Sequence, residues 1–143
     1  QDVCDSDLEN EETSLIYCGG ILEDGQREGK VLGVLGIFFD WENLVFPILE
    51  GCLPRIKGEV VDGGAAFYVN DEHKVIATTD SENFKIGQVV NLPAENLHLE
   101  AGESASGIFS ANDKKYIIGS SRTQGYREYK GLGWTAHVVR PID

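Results

Sequence analysis

The densest group of residues able to do chemistry is Arg122, Tyr126, Arg127, Tyr129, Lys130 and Trp134, crowded into one polar loop and the strand that follows it. A guanidinium offers a planar fork of donors that matches a carboxylate or a phosphate, and aromatic rings wall a pocket at low entropic cost. Such a loop can clamp a small anionic or amino-acid-like ligand. The competing reading is a solvated turn in which Arg127, Glu128 and Lys130 form local ion pairs. Tyr17, Phe38, Trp41 and Tyr68 face the same cavity in the ligand-binding reading, although packing is the default role of aromatic side chains on strands.

Other chemistries find less support. His73, His98 and His137 share no metal-like spacing, and Cys4, Cys18 and Cys52 include no pair at the separation zinc sites favour, so no metal or other cofactor is expected. One histidine would suffice for haem, but nothing specific points there. The phosphate-binding Gly-x-x-x-x-Gly-Lys-Ser/Thr, the Gly-x-Ser-x-Gly elbow and His-Glu-x-x-His are all missing from the sequence. Residues 102 to 107, Gly-Glu-Ser-Ala-Ser-Gly, match the elbow in composition only. A cysteine nucleophile at Cys18 or Cys52 has no histidine near it in sequence. The expectation is therefore a binding protein rather than an enzyme.

Composition narrows the partners. The net charge is −12, and the first twelve residues carry Asp2, Asp5, Asp7, Glu9, Glu11 and Glu12 with no Lys or Arg. Nucleic acid and anionic membrane surfaces need a basic face, so the charge argues strongly against nucleic acid and disfavours an anionic membrane surface. Residues 1–13 read as an acidic leader, a solvated tail or the acidic start of a helix, and residues 14–143 as a single domain. A chain of 143 residues can bury about 68–70% of its unfolded surface, enough for a core. Three cysteines cannot all pair within one chain, which speaks against a disulfide framework. Cys18 and Cys52 are expected as small buried apolar residues. The longest apolar run, Val31 to Phe39, is far shorter than the ~20 residues of a membrane-spanning helix, and a soluble domain is expected. The absence of methionine and the start at Gln1 are what an excised domain or a processed chain would show.

The elements that would position these residues centre on a hairpin. Ala65 to Asn70 and Lys74 to Thr79 are short strand-like runs flanking the polar break Asn70-Asp71-Glu72-His73, followed by a loop whose Ile86, Val89 and Val90 are suited to closing over a sheet. Upstream, Ser14 to Leu22 reads as a strand broken by Gly19-Gly20, and Lys30 to Phe39 as a strand apolar on nearly every position, hence buried on both faces or central in its sheet. Asp40 caps a helix in which Leu44, Val45, Ile48 and Leu49 share one face, with a kink or early break expected at Pro47. Residues 51–64 read as a linker. A helical turn is expected near Pro93, a second hairpin around Ala111-Asn112-Asp113, and a last strand over Trp134 to Val139. About seven strands against one or two helices predict an α+β arrangement, an antiparallel sheet with helices on one side.

The hairpin 63–92, with its Val-Ile-Ala-Thr-Thr-Asp strand and following Ile86-Gly87, resembles the core of Cache sensor domains, relatives of the PAS and GAF folds. Gly33 to Phe46 looks like the strand and helix that precede that hairpin, and Tyr116 to Pro141, with Gly133-Trp134, looks like the closing strands. The resemblance spans roughly Leu15 to Ile142. It implies a five- to seven-stranded antiparallel sheet flanked by helices, and the strands at 14–22 and 30–40 must then join that same sheet. It further implies a small-molecule-sensing domain of a bacterial, chemotaxis-type signalling protein, with a carboxylate or amino-acid-like ligand and an output domain in the parent chain. A homodimer is compatible, and a cytoplasmic location is favoured over a periplasmic one. The resemblance places the loop of Arg122, Tyr126 and Arg127 beside the pocket. The alternative is a structural or dimerisation module without a ligand.

Overall fold

The computed structural model describes residues 3–5, 13–125 and 130–142, with side chains from Ser14 onward. The chain divides into two compact units, Gln1–Leu44 and Val45–Asp143.

In the first unit, β1 (Val3–Asp5), β2 (Thr13–Leu22) and β3 (Val31–Asp40) form an antiparallel sheet in the order β1-β2-β3. Part of the acidic leader is thus a short strand rather than a tail. The β2–β3 hairpin turns through Asp24 (φ 56°) and Gly25 (φ 66°), and its register runs from Ser14 opposite Asp40 to Ile21 opposite Gly33. Two expectations fail here. These strands make their own sheet instead of joining the main one. And β3 is not buried: it is the edge strand of its sheet, with Val34 69% and Phe38 67% exposed. Burial of both faces needs a layer on each side, and three strands supply none.

The helix α1 (Trp41–Cys52) begins where its cap was expected. The Asp40 carboxylate accepts hydrogen bonds from the Asn43 backbone N–H at 3.1 Å and from Asn43 Nδ2 at 2.6 Å, and these donors hold its pKa below the ordinary value. The helix continues through Pro47 rather than breaking there. Its buried row is Trp41, Val45 and Leu49, spaced four apart, while Leu44 and Ile48 are exposed. The inward stripe is therefore rotated from the one expected.

The second unit holds β4 (Arg55–Ile56) and β5 (Glu59–Val60), a small hairpin where a linker was expected, turning through Lys57 and Gly58 at positive φ. Its main sheet contains β6 (Ala65–Val69), β7 (Val75–Thr78), β8 (Ser104–Ala111), β9 (Lys114–Arg122) and β10 (Thr135–Ile142). The order is β7-β6-β10-β9-β8, antiparallel throughout. A single turn of helix, α2 (Ala94–Leu97), follows Pro93. The whole is mostly antiparallel sheet with little helix.

The central hairpin has the predicted turn: Asn70 Oδ1 accepts from the N–H groups of Glu72 and Lys74, both at 3.0 Å, and His73 takes a positive φ to close it. The β8–β9 hairpin turns through Asn112 and Asp113, both left-handed, as a two-residue connection requires.

Alternation places Ala65, Phe67 and Val69 of β6, Tyr116, Ile118 and Ser120 of β9, and Thr135, His137 and Val139 of β10 on one buried face. The segment Thr79–Glu103 crosses that face. Asp80 caps its first turn, accepting from Asn83 N at 3.1 Å and Asn83 Nδ2 at 2.7 Å. That turn lays Phe84 against Phe67, ring centroids 4.6 Å apart, and edge-on to Tyr116 at 5.9 Å. Val90, Leu92 and Leu99 follow Phe84 into the core, whereas Ile86 and Val89 remain exposed. Residues 86–89 instead run along the outer edge of β7, where Val75 N donates to Gln88 O at 2.9 Å and Val75 O accepts from Gly87 N at 2.8 Å.

Candidate functional site

The polar content of this buried layer is a relay of three side chains. Asn96, on α2, donates from Nδ2 to Ser120 Oγ at 2.8 Å, and Ser120 Oγ lies 2.7 Å from His137 Nδ1. All three residues are buried, His137 and Asn96 with 1% of their surface exposed. The serine hydroxyl accepts from Asn96 and shares one hydrogen with His137 Nδ1, donated by the hydroxyl or by the ring according to the imidazole tautomer. His137 Nε2 and Asn96 Oδ1 have no hydrogen-bond partner in the structure. Burial pushes the His137 pKa down to about 4, and the charge of His73 adds to the shift.

Gly107, on β8, makes room for the relay. A Cβ at that position would stand 2.7 Å from Asn96 Oδ1, so the amide and the strand approach closely only because residue 107 has no side chain. Unpaired buried polar atoms are uncommon in folded chains.

At the end of the same face, Arg122 Nη1 donates to the Leu99 carbonyl at 2.9 Å, pinning the crossing segment to β9. Arg122 lies opposite Thr135 in the β9–β10 register, and Thr123 N donates to Trp134 O at 3.0 Å, so Arg122 and Trp134 stand at one end of the sheet. Gly133 reaches the same place, with Arg122 Nη2 3.1 Å from where its Cβ would be. Both Arg122 and Trp134 are half-buried.

The remaining residues singled out from sequence fall elsewhere. Tyr126 and Arg127 lie outside the described residues. Tyr68 alternates with Phe67 and Val69, and is half-buried on the other face of the sheet. Burial raises its pKa, with a contribution from Cys52. Tyr17, Phe38 and Trp41 belong to the first unit: Tyr17 packs edge-on to Phe39 with centroids 5.6 Å apart, Phe38 is exposed, and Trp41 is buried at the start of α1. Cys18 and Cys52, expected to be buried, are exposed free thiols. The side chain of Cys4 lies outside the described residues.

Two open depressions mark the surface of the second unit. One, of about 700 Å³, is lined by Asp62, Gly63, Asp113, Lys114, Lys115 and Pro141; the other, of about 660 Å³, by Glu82, Asn83, Lys85, Ile86 and Asn112. Of the residues predicted to bind ligand, none of those described lines either. Among the described residues no cluster of metal-ligating side chains occurs, and no helix is long and apolar enough to cross a membrane.

The relay itself was missed by the sequence reading. Its signal was present in β10, where Thr135 and His137 alternate with Val139 on the buried side, but a histidine in a strand carries no mark of its burial. Comparison with protein-family models and with characterised proteins found no match.

Proposed function

We propose that the second unit is a small-molecule-sensing module of a bacterial signal-transduction protein of the chemotaxis type, with a PAS-, GAF- or Cache-like fold. The observation that carries this reading is the unpaired Nε2 of His137 inside a layer roofed by a single crossing segment. In the tautomer with its hydrogen on Nε2, a ligand offering an acceptor, such as a carboxylate, would pair with it. Arg122, at the end of the same face, supplies a cation for the same anionic chemistry. Binding would displace the segment Thr79–Glu103, and the displacement would reach an attached output domain through β10, the strand that bears His137. The ligand would act by favouring one of two arrangements of the segment, so its effect is bounded by its differential affinity for them.

The test is a thermal-shift screen of the chain against amino acids, organic acids and purines, followed by calorimetry. A binder stabilises the folded state by about 2.7 kcal/mol at one hundred times its Kd. The expected result is a rise confined to one anionic class and lost in His137→Phe. A flat response across all classes overturns the proposal.

A second reading, a structural or dimerisation module without a ligand, is favoured by one observation, the exposed apolar strand β3.

A further inference from the structure

The sheet edges of this protein are treated unequally. The outer edge of β7 is covered by residues 86–89, which take up the backbone groups of Val75. The outer edge of β8 carries Ser104, Ser106, Gly107 and Ser110, small or polar residues poorly suited to pairing with another chain. The edge strand β3 has neither protection; its one irregularity is a bulge at Leu32, where Ile21 faces Gly33 and Leu22 faces Val31. From Val31 to Phe39 it contains no charge and no proline, and Val31, Leu32, Val34, Leu35, Ile37 and Phe38 are all about half exposed or more. Among the described residues β3 pairs with β2 alone. A ten-residue apolar strand with one edge open is a template for another strand.

We propose that β3 pairs antiparallel with β3 of a second copy of this chain, joining the two sheets about a two-fold axis at Leu35. The occupant and the register follow from side-chain chemistry. A two-fold axis normal to the sheet keeps the faces matched and sets Leu35 opposite itself. Val34 then faces Gly36 of the partner, Gly33 faces Ile37, Leu32 faces Phe38 and Val31 faces Phe39. Each glycine meets a β-branched residue, and each aromatic ring an aliphatic one. Of these, Val31 against Phe39 is an aromatic–β-branched pair of the kind that stabilises adjacent strands. The next pair outward is Lys30 opposite Asp40 of the partner, and it occurs twice. Asp40 remains anionic, since its contacts to Asn43 lower its pKa. The apolar stretch is therefore bracketed at both ends by opposite charges, in one register only, despite a net charge of −12 on each copy.

The size is also sufficient. Nine paired residues at about 3.4 Å each make a seam about 30 Å long. With side chains above and below the sheet, that covers on the order of 600 Å² per copy, towards the lower end of specific interfaces.

Sedimentation velocity of the full chain from about 1 to about 200 μM tests this, across the range where an interface of this size dissociates. The expected result is a shift from one-chain to two-chain mass that stops at two. Lys30→Asp, a surface change, should weaken association on the order of tenfold by placing like charges opposite each other twice, and adding Asp40→Lys should restore it. Leu35→Lys should abolish it, with circular dichroism confirming that the sheet remains. In a background with the three native cysteines replaced by serine, Leu35→Cys should form an intermolecular disulfide and Ile21→Cys, on β2, should not. A chain that stays single at every concentration, its strand being covered by another segment or protein, overturns the proposal. So does mass growth without limit, or a dimer indifferent to Lys30→Asp and Leu35→Lys. Ligand screening bears on none of these outcomes, so this inference and the sensing proposal fail separately.

Discussion

Ser120 Oγ and His137 Nδ1 lie 2.7 Å apart across the β9–β10 pair, a hydrogen bond within the buried layer. Burial disfavours the charged imidazole, and with the charge of His73 this keeps the His137 pKa near 4.

Acid should therefore unfold the second unit through His137. Above about pH 6.5, the ordinary histidine value, neither state is charged at this residue and its contribution to stability is complete. As pH falls from there toward 4 the unfolded chain takes up a proton that the native chain resists, and stability falls by up to about 3 kcal/mol. Urea unfolding at about pH 7.5 and about pH 4.5 should show a larger drop for the native sequence than for His137→Gln. Equal drops would remove His137 from the account.

Truncating the relay should loosen the crossing segment before it unfolds the sheet. Asn96→Ala withdraws the donor to Ser120 and should cost about 1–3 kcal/mol, the typical price of leaving a buried polar group unmatched. Hydrogen exchange should accelerate at residues 92–99 while β9 and β10 stay protected. Uniform acceleration across the sheet would show that the segment is not a separate opening unit.

Gly107→Ala is expected to behave as a relay mutant although it lies on another strand. The new methyl would meet Asn96 Oδ1 at 2.7 Å, and overpacking of this kind costs about 1–3 kcal/mol. Its effect should shrink in an Asn96→Ala background, where the clashing oxygen is gone. Additive losses would place the damage elsewhere.

At the β8–β9 turn, Asp113 holds a φ of 61° that a side chain makes costly. Asp113→Gly yields Asn-Gly, the pair best suited to this connection, and should raise stability by up to about 1 kcal/mol. A lower melting temperature would contradict the turn assignment.

The sequence showed its local elements well and its layers poorly. The Asn70–His73 and Asn112–Asp113 turns, the Asp40 cap and the short helix after Pro93 were legible because each rests on a few adjacent residues with special backbone chemistry. The fate of β3 was not. A run such as Val-Leu-Gly-Val-Leu-Gly-Ile-Phe-Phe says only that the strand avoids water, and nothing local says which layer would cover it. Cys18 was misjudged for the same reason, since it sits on β2 opposite Gly36 of that exposed strand. Arg122 was singled out as a ligand contact, whereas its visible partner is the Leu99 carbonyl 23 positions away, a distance over which residue type carries little information. The Asn96–Ser120–His137 relay joins three segments and could not be assembled from any one of them.

The sheet order also sets the sequence of events in folding. The hairpins β6–β7 and β8–β9 each join neighbours in the chain, whereas β10 lies between β6 and β9 and pairs His137 with Phe67 across 70 intervening steps. Local hairpins form in microseconds, and distant pairings wait on the closure of long loops. The last strand is therefore the keystone: until residues 135–142 are in place there are two half-sheets with no common core, and a ribosome must release β10 before the unit can become cooperative.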